Sequence, residues 1–220
     1  MSAPVLYIGN KNYSSWSMRP WLALHWARIG FEDHVMPLPG GGYGKSSVPE
    51  IRDASPSGRV PALHVDGVVI WDSLAICEWA AEQKPDSGLL PKDAAKRALC
   101  RSVASEMHSG FAAVRRELPM NIRRFNKPPL APLSDDAKKD IARLEEIWGS
   151  IALKADGVIG TRTIADAFFT PVATRLRSYG IPLEGQAQAY CDALLSDATY
   201  LDWERSGKAE PWVVEAYESY

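Results

Sequence analysis

Apolar positions in the first third of the chain come in short runs, whereas those in the remainder recur every three or four residues. "PVLYIGN" is a short β-rich run beginning after Pro4, and the spacing that follows predicts a helix from about Ser17 to Ile29, stopped at Gly30. "EDHVMPLP" reads as a second strand, followed by the loop "GGGYGKSSVP" and a short helix around residues 48–54. In "PALHVDGVVIW" two apolar runs flank Asp66-Gly67, a dipeptide that supplies the positive φ angles of a type I′ hairpin. A helical pattern resumes in "SLAICEWAAEQ", and Pro85 follows its end. The predicted order through residue 84 is βαβ(α)ββα.

Pro85, Gly88 and Pro91 then punctuate the chain, and no strand pattern follows them. Residues 1–84 are therefore expected to form an α/β domain, 85–92 a linker and 93–220 an all-α domain. Leu99, Val103, Met107, Phe111, Val114 and Leu118 step by three or four, which predicts one long amphipathic helix. Ile141, Leu144, Ile147, Trp148 and Ile151 mark a second, and further helical patterns cover about 163–178 and 186–201. The second half is thus an α-helical bundle of at least four helices.

With 220 residues, 46% hydrophobic, 24% charged and a formal net charge of -2, the composition is that of a globular protein with no basic excess for a nucleic-acid partner. The cluster Arg115, Arg116, Arg123 and Arg124 reads as a solvated helix face. The start lacks the pattern of a secretory signal, and no run approaches the roughly 18 apolar residues of a membrane span; a cytoplasmic protein with no membrane contact is expected. Cys77, Cys100 and Cys191 are odd in number and widely spaced, which predicts buried reduced thiols. His25, His34, His64 and His108 show no ligand spacing, so no metal is expected.

Three stretches carry candidate chemistry. "PGGGYGKSS" imitates a phosphate-binding loop, but Pro39 stands where its first glycine belongs and Pro49 interrupts the helix that should follow. It reads as a glycine-rich loop whose Lys45 can offer a cation to a carboxylate. Val60-Pro61 opens a strand, so the Val60 backbone is a candidate to pair with an incoming peptide. Asp72 and Ser73 begin a helix, where they serve either as caps or as a site for a zwitterion, the hydroxyl and N–H groups taking a carboxylate and Asp72 an ammonium. In "YSSWSMRPW", Ser14 and Ser15 lie at a strand-to-helix junction, where a hydroxyl either caps the helix or donates to a ligand.

These pieces together resemble the cytosolic glutathione transferases, in particular a bacterial, serine-type member closest to the zeta class. "YSSWSMRPWLAL" resembles the zeta motif, SSC followed by an aromatic-Arg pair; "GRVPAL" resembles the family's cis-proline turn at Pro61; "WDSLAICEW" resembles its E/D-S-x-A-I signature. "TIADAF" is similar to the family's N-capping box, with Thr163 and Asp166 in its two places. The resemblance implies a thioredoxin-like N-terminal domain that binds glutathione as cosubstrate, a helical domain completing the pocket, and a homodimer. Carried over, Ser14 is the hydroxyl facing the glutathione sulfur and Ser15 the second candidate. Val60 pairs with the cysteinyl unit, Asp72 and Ser73 hold the γ-glutamyl end, and Lys45 reaches the glycyl carboxylate. Trp16 and His108 fall in the electrophile pocket.

A free thiol titrates near ~8.5, so a hydroxyl donor at a helix N-terminus is needed to hold a thiolate at neutral pH. Where the zeta motif has Cys this chain has Trp16, and its Arg-Val-Arg becomes Arg19-Pro20-Trp21. These changes predict a larger, more apolar neighbourhood, and hence conjugation or peroxide reduction of hydrophobic electrophiles, a detoxification chemistry. The alternatives are a maleylacetoacetate isomerase-like reaction on an acidic diketo substrate, with Arg175 or Arg177 as carboxylate clamp, and a non-catalytic glutathione-binding or protein-interaction module.

Overall fold

A computed structural model describes residues 3–38, 49–151 and 153–220. The first half contains β1 (Val5–Ile8), α1 (Ser15–Trp26), β2 (Glu32–Val35), α2 (Pro49–Ala54), β3 (Ala62–Val65), β4 (Val68–Trp71) and α3 (Ser73–Gln83). The sheet order is β2-β1-β3-β4, with β1 parallel to β2 and antiparallel to β3, and β3 antiparallel to β4. This is the thioredoxin-like βαβ(α)ββα arrangement. Leu6 and Ile8 on one face of β1 are fully buried, as the two-residue period of a strand requires. Asp66 and Gly67 take φ of 48° and 79°, the two left-handed conformations of the expected hairpin. The first helix starts at Ser15, two residues before the expected Ser17, and closes at Trp26 rather than Ile29.

The second half holds α4 (Ala94–Ser109), α5 (Ala112–Glu117), α6 (Asp135–Ser150), α7 (Ile164–Tyr179), α8 (Gly185–Leu195) and α9 (Ala198–Ala209). Among the described residues no strand follows β4. Two expected helices are each divided. The run from Leu99 to Leu118 breaks at Gly110, which is extended, and Phe111, at φ 58°. Tertiary partners satisfy the backbone groups that the break exposes. The Arg115 guanidinium donates to the carbonyls of Gly110 (3.0 Å), His108 (3.4 Å) and Met107, while Asp140 Oδ2 accepts the Ala113 and Val114 N–H groups at 3.1 Å each. Leu99, expected in the core, is 42% exposed. The run from 186 to 201 divides at Asp197, whose carboxylate caps α9 through Thr199 N–H (2.9 Å) and also accepts from Trp26 Nε1 and Arg162 Nε.

α7 is the central helix: every residue except Arg177 is buried. Its hydroxyls avoid the cost of burial by donating one turn back, Thr170 to Asp166 O, Thr174 to Thr170 O and Ser178 to Thr174 O. Its start is the capping box of Thr163 and Asp166. The Asp166 carboxylate accepts N–H groups from Thr163 (2.8 Å), Gly160 (2.7 Å) and Thr161 (3.1 Å) and the Tyr190 hydroxyl (2.6 Å). It therefore organises the loop before the helix as well as the helix end.

This concentration of donors sets an expected ranking. Asp166→Ala strands several buried donors at once and should destabilise the fold by about 3 kcal/mol or more, whereas Thr163→Ala should cost about 1 kcal/mol. Urea unfolding of both variants at neutral pH measures the order.

Candidate active site

Ser14 is the N-cap of α1, fully buried, and its hydroxyl is engaged within the chain: it accepts from Ser17 N–H and donates to Ser17 Oγ at 2.7 Å. Ser17 Oγ in turn accepts the Gly9 N–H at 3.1 Å, tying the helix start to the end of β1. Ser15 stands differently. Its Oγ accepts from Arg175 Nη2 at 2.9 Å and belongs to the wall of a cavity of about 770 Å³. A hydroxyl has one proton and two lone pairs, so an oxygen that accepts from a guanidinium keeps its proton for another acceptor, and polarisation by the cation strengthens that donor.

The cavity is lined by the aromatic and apolar side chains of Tyr13, Trp16, Pro119, Met120 and Tyr217, with Arg59, Arg115, Arg116 and Arg175 among them. No carboxylate side chain stands among the described lining residues. Arg116 is paired outward with Glu117 at 2.9 Å. Arg175 is buried and also donates to the Leu118 carbonyl at 2.5 Å. Trp16 is held as a partition: Arg19 lies 4.3 Å from its ring centre and Arg115 5.1 Å, and His108 meets it edge-on at 5.2 Å.

A cleft of about 180 Å³, which shares Trp16 and Arg59 with this cavity, is lined also by Ser57, Val60, Pro61, Trp71, Asp72 and Ser73. The Val60-Pro61 bond is cis and precedes β3, placing Val60 at the cleft rather than in the ladder. Asp72, at φ 77°, caps α3 through the Leu74 N–H (2.8 Å) and faces His108 Nε2 with its second oxygen at 3.3 Å. Ser73 is fully buried, with its Oγ accepting from Arg19 at 3.4 Å. The sequence candidates Trp16, Val60, Pro61, Asp72 and Ser73 are thus brought to one cleft, and Ser15 to the adjoining cavity; Ser14 lines neither. Lys45 lies outside the described residues.

Burial holds the His108 pKa below its ordinary value, with Asp72 opposing and Arg19 and Arg115 reinforcing the shift. Burial likewise pushes the thiols up, Cys100 to about 11 and Cys191 to about 12, with Cys77 also raised. The chain's own thiols are therefore poor nucleophiles and line neither space. Among the described residues no cluster of His, Cys, Asp or Glu could hold a metal ion, and no helix is long and apolar enough to cross a membrane.

The structure corrects one expectation and adds residues that the sequence motifs missed. Trp21 does not enlarge the pocket: it is buried against Trp203 and His25 and donates to Asp33 at 3.0 Å. Arg59 and Arg115 were not expected at the site, Arg115 having been read as solvated. Of the two arginines named as a carboxylate clamp for the isomerase alternative, Arg175 stands on the cavity wall and Arg177 does not. Nothing in the local pattern marks the C-terminal residues Ala216, Tyr217 and Tyr220, which complete the cavity wall.

Comparison with known proteins bears on the family and the fold. Residues 13–83 match the family "Glutathione S-transferase, N-terminal domain". The chain is 37% identical over 111 residues to a maleylacetoacetate isomerase of Rattus norvegicus, covering 49% of each chain. It is 36% identical over 108 residues to a probable maleylacetoacetate isomerase of Caenorhabditis elegans, covering 49% of this chain and 48% of that one. The chain spans about half the length of these isomerases. To glutathione S-transferase 1 of Dianthus caryophyllus it is 33% identical over 184 residues, 81% of this chain and 80% of the relative. Its fold is similar to that of a glutathione transferase homolog from Burkholderia solved with bound glutathione, with a TM-score of 0.72 at 24% identity over 94% of this chain and 99% of that one. The chain belongs to the glutathione S-transferase family.

Proposed function

We propose that the protein is a serine-type, zeta-like enzyme that uses glutathione to isomerise a small carboxylate-bearing substrate with a conjugated cis double bond, as the names of its isomerase relatives suggest. The observation that carries this reading is the Arg175–Ser15 contact of 2.9 Å at the cavity wall. It brings a cation able to hold a substrate carboxylate and a hydroxyl able to hold a thiolate to one point. Four arginines around a cavity with no acidic side chain among its described lining residues favour an anionic ligand. The expectation of a mainly apolar electrophile site rested on Trp16 and Trp21; Trp16 lines the cavity and Trp21 does not, and the arginines weigh toward the acidic substrate.

Glutathione, when bound, would supply a thiolate that adds to the double bond and leaves after rotation about the resulting single bond. The cleft fits it by donor chemistry: Asp72 offers a carboxylate for the γ-glutamyl ammonium, the start of α3 offers N–H groups for the adjoining carboxylate, and Val60 presents backbone beside Pro61. Ser15 donates its proton to the sulfur across the cavity wall, while Ser14 fixes the helix start through Ser17. A hydrogen bond of this charged kind stabilises the anion by about 1.5 to 3 kcal/mol, which lowers a thiol pKa by about 1 to 2 units. Arg175 and Arg115 hold the substrate carboxylate, and Trp16, which lines both spaces, flanks the point where the sulfur meets the double bond. The homodimer implied by family resemblance is part of this proposal, and Val68, Trp71 and Leu99 offer exposed apolar side chains for it.

Steady-state kinetics tests the substrate class. The kcat/KM for a maleylacetone-like acid should exceed that for an apolar aromatic electrophile, and Arg175→Leu should lower the first by about tenfold or more while sparing the second. A higher kcat/KM for the apolar substrate in the unchanged enzyme would overturn the isomerase reading.

Thiolate absorbance tests the hydroxyl. Ser15→Ala should raise the pKa of bound glutathione by about 1 unit with its affinity nearly unchanged. A shift in Ser14→Ala alone would move the donor role to Ser14.

His108 sets a pH dependence of stability. Its folded pKa is depressed, so the unfolded chain binds the proton more readily; the contribution to stability is present above about 6.5 and is lost as pH falls through the lowered folded value. Denaturant unfolding should therefore show His108→Asn losing less stability than the unchanged protein between neutral and mildly acidic pH. Parallel losses would refute the assignment.

A further inference from the structure

The segment that leads into the two serines, Lys11 to Tyr13, lies between β1 and α1 and belongs to no strand. Some of its polar groups pair with Asn10 and with residues 121–123, and the rest are held by the C-terminal end of the chain. Both oxygens of Glu210, at the end of α9, accept backbone N–H groups, Lys11 at 2.7 Å and Asn12 at 3.1 Å. The Lys11 carbonyl accepts from Trp203 Nε1 at 3.0 Å. α9 approaches so closely that a Cβ on Gly207 would lie 3.1 Å from Asn12 N, so only glycine fits there without a shift.

Further along, Glu218 Oε1 accepts from the Tyr13 hydroxyl at 2.6 Å and from Asn121 Nδ2 at 3.0 Å. The Tyr13 oxygen accepts the Val214 N–H at 3.2 Å, and the Tyr217 ring packs 5.8 Å from that of Tyr13. Asn121 Oδ1 accepts from Asn12 Nδ2 at 3.1 Å, which closes the network onto the same loop. The tail that makes these bonds also supplies Ala216, Tyr217 and Tyr220 to the cavity wall.

We propose that Glu210 and Glu218 are positioning residues for the serine pair, and that through them the placement of Ser15 is coupled to the part of the cavity wall formed by the C-terminal tail. The inference rests on the serine reading above and adds a device to it. A hydroxyl must be held within a few tenths of an ångström of its hydrogen-bonding position to stabilise the charge on the sulfur, and the bonds from Glu210 and Glu218 add to the turn on the Asn10 carbonyl in fixing the loop before α1. Glu218 bonds the residue immediately before Ser14, and Glu210 the two before that. A substrate that presses on Tyr217 or Tyr220 thus acts on the same segment that sets the hydroxyl.

The test uses the full chain with Glu218→Ala, Glu218→Gln, Tyr13→Phe and the Tyr13→Phe/Glu218→Ala double variant, each measured for kcat with the acidic substrate, KM for glutathione, the pKa of bound thiol and Tm. Glu218→Ala and Tyr13→Phe should each lower kcat by about tenfold and raise the thiol pKa, with the KM for glutathione within about twofold of the unchanged enzyme. The double variant should be no worse than the poorer single one, because both remove one interaction, and Glu218→Gln, which keeps an acceptor oxygen, should recover part of the loss. Lower Tm with unchanged thiol pKa and kcat would overturn the proposal, as would additive losses. Ser14→Ala and Ser15→Ala are run alongside. If neither moves the thiol pKa, the serine reading falls and this proposal with it; if one does and Glu218→Ala does not, the positioning role alone is overturned.

Discussion

The buried guanidinium of Arg175 is the constraint around which the site is arranged. A charge taken out of water costs several kcal/mol unless it is fully hydrogen-bonded, so its partners are held where it needs them. Those partners come from both halves of the chain: the carbonyls of Leu118 and Arg115 on the helical side, and Ser15 Oγ on the first turn of α1. One side chain on the central helix thereby fixes the end of α5 and the start of α1 relative to each other. It also places a cation beside the hydroxyl proposed to hold the thiolate.

The same economy of cations extends outward from it. Arg19 is almost fully buried between the Trp16 and Phe168 rings, 4.3 Å and 4.5 Å from their centres, and Arg115 lies on Trp16 as well. Stacking on aromatic faces suits guanidinium, which is weakly hydrated and planar, where an ammonium would keep its water. The chain as a whole carries a formal charge of -2, yet this cavity is lined by four arginines and no described acidic side chain. The field that a ligand meets is set by this local arrangement and not by net charge.

His108 and Asp72 join the two spaces. Asp72 caps α3 with one oxygen and meets His108 with the other, and His108 in turn lies edge-on to Trp16. A neutral His108 leaves the Asp72 charge available to the glutathione cleft, which is why the depressed pKa of the imidazole matters to the proposed chemistry.

Local rules sufficed for much of this architecture. The two-residue period, Asp66-Gly67 and the S/T-x-x-D box each depend on neighbours within a few residues, so the strand order, the hairpin and the start of α7 were legible in the chain alone. The motif spacing also singled out Val60 and Asp72, which the fold brings to one cleft, and Ser15, which it brings to the adjoining cavity. Helix breaks were not legible: apolar spacing continues through Phe111, where Asp140 captures the exposed N–H groups of α5 from the next helix, and through Asp197, whose local cap of α9 is held in place by Trp26 and Arg162. Which hydroxyl reaches the cavity was equally out of reach, since Ser14 and Ser15 are adjacent and differ only in meeting Ser17 or Arg175 across 160 residues. The polarity of the cavity, and the hold of Glu210 and Glu218 on the serine loop, likewise arise from contacts between distant segments, which no local pattern encodes.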